Sequence, residues 1–167
     1  MSNIPFVLGQ LSEADIDWLA KHGERREVPI GTLLVEKNQP VEWVSIVLQG
    51  RFSLYGAAGS GIIGTGEMIG EVSFVDSIPP SADVVASEDC VVLAVPHAAL
   101  RGRLEADRDF GVRFYRAVAM MLADRLRDTA AVASGMPRPP EELAGDGAGA
   151  VVAWQRLERL ADAVRGT

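Results

Sequence analysis

The sequence predicts a mainly β domain followed by helices. Between Arg26 and Val95 the apolar, β-branched runs are short and recur about every 8–12 residues, parted by Gly, Pro, Ser and Asp. That spacing belongs to an antiparallel barrel or sandwich rather than to alternating β-α units. From Phe110 onward the period changes to 3/4, the mark of an amphipathic helix. With 48% hydrophobic and 23% charged residues over 167 positions, the chain has ordinary globular composition and is long enough to bury a core.

Leu11-Ser12-Glu13-Ala14-Asp15 opens a first helix: Ser12 caps it, and Asp15 sits in the first turn, where the helix dipole favours a carboxylate. Ile16, Leu19 and Ala20 come next at helical spacing beside Trp18, and Gly23 ends the run. Arg26 to Val35 reads as strand, turn, strand, with Pro29 and Gly31 in the turn. Trp43 to Gln49 is a β-branched strand stopped by Gly50, and Arg51 to Tyr55 alternates polar and apolar as a half-buried strand does. Gly56 to Gly61 reads as a hairpin connection, because it has neither the lysine nor the adjoining helix of a phosphate loop. Ile62-Ile63, Asp83 to Ala86 and Cys90 to Val95 complete the strands.

Pro96 then starts a short helix, with His97 as a surface or capping residue. A longer helix is expected from about Asp107 to Asp128, with Phe110, Phe114, Ala117, Met121 and Leu122 in one stripe. Val118, Met120 and Leu126 widen the stripe to more than one face. The mixed charges of Arg113, Arg116, Asp124, Arg125, Arg127 and Asp128 describe a solvated face. Ser134 to Pro140 cannot hold a helix, and Glu141 to Ala150 reads as a linker. An amphipathic helix returns from Val151 to Arg165, with Trp154, Leu157, Ala161 and Val164 as its stripe. The expected organisation is therefore 1–128 as the domain, 129–150 as linker and 151–167 as a docked C-terminal helix.

A net charge of −7 disfavours broad nucleic-acid binding. Cys90 has no partner for a disulfide, and one cysteine with two histidines makes no zinc spacing. No nucleophile elbow is present, so an enzyme is not expected. Met1 to Leu8 lacks the pattern of a signal peptide, and no window reaches the roughly 18 apolar residues of a membrane span. A cytoplasmic protein is the expectation.

The most informative stretch runs from Gly70 to Val85. Gly70-Glu71-Val72-Ser73-Phe74 opens on Gly-Glu and makes a short helical turn. The chain then passes Pro79-Pro80 and re-enters a β-branched run through Ser81-Ala82-Asp83-Val84-Val85. This layout resembles the phosphate-binding cassette of the cyclic-nucleotide-binding domain family. Gln49-Gly50-Arg51 is similar to that family's small-Gly-basic hairpin, and the resemblance extends from about Leu11 to about Arg127. It implies an antiparallel, jelly-roll-like β-roll flanked by an N-terminal helix and C-terminal helices. It also implies cyclic AMP or cyclic GMP as ligand, and Gly70, Glu71, Val72, Ser73, Pro80, Ser81, Ala82 and Asp83 as the residues around it.

In that family the glutamate holds the ribose 2′-hydroxyl, while an arginine after the proline and a nearby Ser/Thr hold the cyclic phosphate. Glu71 matches the first; it accepts either from ribose hydroxyls or from backbone amides that fix the cassette turn. Pro80 stands where the arginine should be and has neither side-chain donor nor N–H. Asp83 stands near the second contact; facing the pocket, it would repel a phosphate by about 3–4 kcal/mol. Arg51 either faces solvent or supplies a substitute charge.

The resemblance also implies that the Phe110–Leu126 helix pairs with its twin in a homodimer, unless the tail of the same chain covers that face. A linker and one helix, the elements expected after the long helix, are too little for a winged helix-turn-helix. The expectation is a non-enzymatic regulatory, ligand-sensing module with impaired or altered nucleotide binding. The alternatives are a structural interaction domain with an empty pocket, or a Crp/Fnr-type transcription regulator lacking a standard DNA-binding domain.

Overall fold

A computed structural model describes residues 6–56, 59–136 and 147–166. Its elements in chain order are α1 (Phe6–Gln10), α2 (Glu13–His22), β1 (Glu24–Val28), β2 (Leu33–Val35), β3 (Trp43–Gln49), β4 (Phe52–Gly56), β5 (Gly59–Ile63), β6 (Met68–Ile69), α3 (Glu71–Asp76), β7 (Ala82–Ala86), β8 (Cys90–Pro96), α4 (His97–Ala106), α5 (Arg108–Ser134) and α6 (Gly147–Ala163). The strands form two four-stranded sheets, β1-β8-β3-β6 and β2-β7-β4-β5, with every pairing antiparallel. The expected mainly β fold, a β-roll flanked by N- and C-terminal helices, is what forms.

The strand pattern explains the layering. Along β8, Cys90 and Val92 join the core between the sheets, with Phe52, Ile63, Ile69 and Val84. Leu93 and Val95 join a second core beneath the helices, with Leu19, Phe74, Phe110 and Phe114. A strand buried on both faces has no polar side to alternate with, which is why Cys90 to Val95 is an unbroken apolar run. β1 and β2, adjacent in sequence, do not pair: β1 joins β8 and β2 joins β7. Gly50 joins β3 to β4 at φ +91°, and a Cβ there would stand 2.6 Å from the Cys90 Sγ. β4 and β5 pair up to Gly56 and Gly59, as a hairpin connection requires; Ala57 and Ala58 between them lie outside the described residues.

The helices depart from expectation in instructive ways. Ser12 and Asp15 form a reciprocal capping box, but Asp15 is also fully buried and takes a bidentate contact from Arg113 Nε and Nη2, at 2.6 and 3.0 Å. Arg113 therefore does not belong to a solvated face. Asp107 caps α5, which continues past Asp128 to Ser134 and ends at Gly135 in the left-handed region. Residues 129–134 and 147–150 of the expected linker are helical, while 137–146 lie outside the described residues.

α6 packs on α1 and α2, burying Ala153, Leu157, Leu160 and Val164. Trp154, expected in that stripe, is 41% exposed. Arg156 caps α1 by donating to the carbonyls of Leu8 and Gly9, and Arg159 pairs with Asp17. Cys90 is a buried free thiol, as its apolar strand predicts. Among the described residues no helix is long and apolar enough to cross a membrane.

Candidate functional site

The cassette is built on one backbone constraint. Gly70 lies at φ +87°, and a Cβ there would meet the Trp43 carbonyl oxygen at 2.5 Å, so only glycine turns the chain from β6 into α3. That turn delivers Glu71 into the interior at 2% exposure. α3 lasts only to Asp76 and ends at Ser77 in the left-handed region, after which the two prolines carry the chain extended into β7.

Between this segment and the β2-β7-β4-β5 sheet lies a cavity of about 230 Å³. Gly70, Glu71, Val72, Ser73, Pro80, Ser81 and Ala82 line it, together with apolar residues of β2, β4 and β5. Asp83 does not. Side chains alternate along β7, so Ala82 and Val84 face the cavity while the Asp83 carboxylate turns away and accepts the Lys37 N–H at 2.7 Å. Repulsion of a phosphate by Asp83, expected if it faced inward, is removed by that pleat. Arg51 does not reach the site either: it is exposed and paired with Glu88 at 3.1 Å.

The residue that sequence reasoning misses is Arg125, the only cation among the described residues of the lining. It arrives from the middle of α5, donates from Nη1 to Glu71 Oε1 at 2.5 Å and from Nη2 to the Met68 carbonyl at 2.8 Å, and stands 3.7 Å from Glu67. Its position is visible as a continuation of the Phe110, Phe114, Met121 stripe, one turn beyond Met121. The mixed charges around it point to solvent instead. Burial pushes the Glu67 carboxyl above its ordinary range, against the Gly64 N–H and Arg125, with Glu71 and Asp124 adding to the rise. One guanidinium thus serves two neighbouring acids and a carbonyl.

His97 is the second correction. It is 6% exposed rather than on the surface, because it packs edge-on against Phe74 with ring centroids 5.1 Å apart. Burial and the nearby Arg101 hold its pKa below the ordinary imidazole value. Among the described residues no group of His, Cys, Asp and Glu is arranged to hold a metal ion.

Two antiparallel sheets, a helical cassette folded over a cavity and a long helix beside it define a β-roll with a cassette-lined cavity. Residues 25–107 match the family model of the cyclic nucleotide-binding domain, and the chain belongs to that family through this domain. Solved structures agree on the fold. A cyclic nucleotide-binding domain from Methylobacillus flagellatus is 21% identical with TM-score 0.68, covering 76% of this chain and 78% of that one. The catabolite activator protein of Thermus thermophilus is 21% identical with TM-score 0.59, covering 92% and 84%. An NTE-family protein of Mycobacterium tuberculosis is 29% identical over 124 residues, which are 73% of this chain but 21% of that protein. The chain thus spans about a fifth of the length of the curated relatives it matches.

Proposed function

We propose that this domain is a non-enzymatic regulatory module whose cassette senses a small ligand and reports it through α5. The observation that carries this reading is Arg125: a residue of α5 holds Glu71, the cassette's fully buried carboxylate. A ligand whose hydroxyls donate to Glu71 competes with that guanidinium, so occupancy changes how α5 is tied to the cassette. The change is worth the ligand's differential affinity for the two arrangements and no more. A cavity of about 230 Å³ favours a ligand over a filled, purely structural cassette.

Cyclic AMP and cyclic GMP are the ligands the family suggests, and the phosphate end is where this chain departs from it. Pro80 offers no N–H, and the cation that lines the cavity is committed to Glu71. Calorimetric titration of the protein with either nucleotide is expected to show no saturable binding tighter than about 10 µM, equivalent to about −6.8 kcal/mol. Tighter binding would overturn the altered-cassette part of the reading and mean that Arg125 swings from Glu71 to the phosphate.

The reporting surface we assign to α5 is a homodimer seam. Val112, Tyr115, Ala119, Leu122, Leu126, Thr129 and Ala133 recur at alternating three- and four-residue steps, the spacing of a two-stranded coiled coil. Val112, Tyr115 and Leu126 are 70%, 48% and 71% exposed even with α6 docked, because α6 lies on α1 and α2 instead. Leu126→Glu is expected to convert a dimer to a monomer in sedimentation equilibrium while changing the melting temperature of the fold little, since the side chain is outside the monomer core. A wild-type protein that sediments as a monomer across the micromolar range would remove the seam from the proposal.

A further inference from the structure

The cassette segment is the partition between two cavities whose charges differ. A second cavity, about 570 Å³, lies behind it against the start of β3 and the first turn of α4, with Ser73, Ile78 and Pro79 common to both. Its charged lining residues, Glu42 and Arg101, are exposed and of opposite sign, so that space favours no ligand charge. The cassette cavity of about 230 Å³ is not balanced in this way.

Among the described residues three charged side chains line it: Glu71, Asp76 and Arg125. All three nitrogens of the guanidinium face protein oxygens. Nη1 donates to Glu71 at 2.5 Å, Nη2 donates to the Met68 carbonyl at 2.8 Å, and Nε stands 3.7 Å from Glu67. Two acids thus share one cation before Asp76 is counted. Asp76 ends α3 at the exposed rim, where its Oδ1 accepts the Ile78 N–H at 2.9 Å. The Glu67 carboxyl feels the same surroundings: burial, with Glu71 and Asp124 adding, outweighs the Gly64 N–H and Arg125 and lifts its pKa.

The rest of the lining is apolar or neutral. Val35, Leu54, Ile63, Ile69 and Val84 make the floor, and Ser73 and Ser81 supply hydroxyls. An anion entering this space leaves water and meets carboxylates, with the one cation already engaged. A cation gains from both lining acids and lays its apolar body on the floor. The volume lies below the roughly 300 Å³ at which ordinary ligand pockets begin, so the ligand is compact.

We infer that the cassette takes a compact organic monocation, an ammonium on an apolar body, with Glu71 and Asp76 as its counter-charges. Such a ligand presupposes that the cassette is a sensor and fixes the sign of what it senses. It also strengthens the signal. A hydroxyl can share Glu71 with Arg125, whereas an ammonium donating to Glu71 stands against a like charge and weakens the tie between α5 and the cassette.

The test uses one ring with three head groups: cyclohexylammonium, cyclohexanol and cyclohexanecarboxylate. The full chain, labelled at Ile, Leu and Val methyls, is titrated with each at neutral pH, with ionic strength held constant by sodium chloride. The Leu54, Ile63 and Val84 methyl resonances are expected to move saturably with cyclohexylammonium, half-saturating at or below about 10 mM. Cyclohexanol should bind about tenfold more weakly, and the carboxylate should give no saturable shift. Asp76→Asn keeps an oxygen for the Ile78 N–H and should weaken the ammonium about threefold while leaving cyclohexanol unchanged.

Alcohol or carboxylate binding as tightly as the ammonium overturns the proposal. So does an ammonium that moves none of these methyls, or one that binds Asp76→Asn as it binds wild type. Sensing has its own readout, the Arg125 Nε–H resonance. Tight alcohol binding that moves Arg125 sinks the charge assignment and leaves the sensor; ammonium binding that leaves Arg125 unmoved sinks the sensor and leaves the charge assignment.

Discussion

Replacing Arg125 with alanine is expected to destabilise the domain by about 3 kcal/mol, far more than its place on a charged helix would suggest. The substitution leaves the Glu71 carboxylate, only 3% exposed, without its partner, and a stranded buried charge is the costly outcome. It also removes the donor to the Met68 carbonyl at the edge of β6. The cavity beside Glu71 can admit water, which keeps the cost at the low end for a broken buried pair. In a Glu71→Gln background the same change should cost much less, since a neutral amide needs no cation. A double-mutant cycle in urea measures that difference. An Arg125→Ala protein within about 0.5 kcal/mol of wild type would show that α5 is not tied to the cassette at this point.

Arg113→Ala is the larger effect, about 3–5 kcal/mol at neutral pH. Its partner Asp15 is wholly inaccessible in the intact domain, so losing the guanidinium strands a buried carboxylate. The effect carries a pH signature. Burial alone would raise the Asp15 pKa, but Arg113 and the Ser12 contacts together hold it below its ordinary value. A carboxylate with a lowered folded-state pKa contributes stability present above the unfolded value of 3.8 and lost as pH falls through the folded one. Without Arg113 only the Ser12 contacts oppose burial, so the Asp15 pKa rises from its wild-type position and the variant has less charge-dependent stability to lose as pH falls. The gap between wild type and Arg113→Ala should therefore be narrower at about pH 3 than at pH 7. An equal gap at both values would mean that the loss comes from packing rather than from the stranded charge.

These two arginines also show where sequence reading reaches and where it stops. The stripe Phe110, Phe114, Ala117, Met121 places one face of α5 in the core, and the structure buries those residues. Arg113 flanks that stripe and Arg125 continues it one turn beyond Met121, but nothing in their own neighbourhood names the acid that either one meets. What distinguishes them is a carboxylate ninety-eight positions away for Arg113 and fifty-four for Arg125. The same holds for Asp83: the period-2 pleat that turns it from the cavity depends on the register of β7 against β4, which pairs it with Tyr55. His97 reads as a helix-start residue, and it is one; its burial comes from Phe74, a residue of the cassette helix.

Local physics was thus enough to establish a mainly β domain with its strands other than β6, the Ser12 cap, the hairpin around Gly56 and Gly59 and the Gly70-Glu71 turn. Each depends on propensity, period or a dihedral that a few neighbouring residues dictate. Tertiary structure decided which sheet β1 and β2 join, which acids Arg113 and Arg125 neutralise, which way Asp83 faces, and that a second cavity opens behind the cassette. Those outcomes depend on pairs far apart in sequence, brought together only when apolar faces are buried. The residues that close such pairs carry no local signature, because their energy comes from being removed from water together.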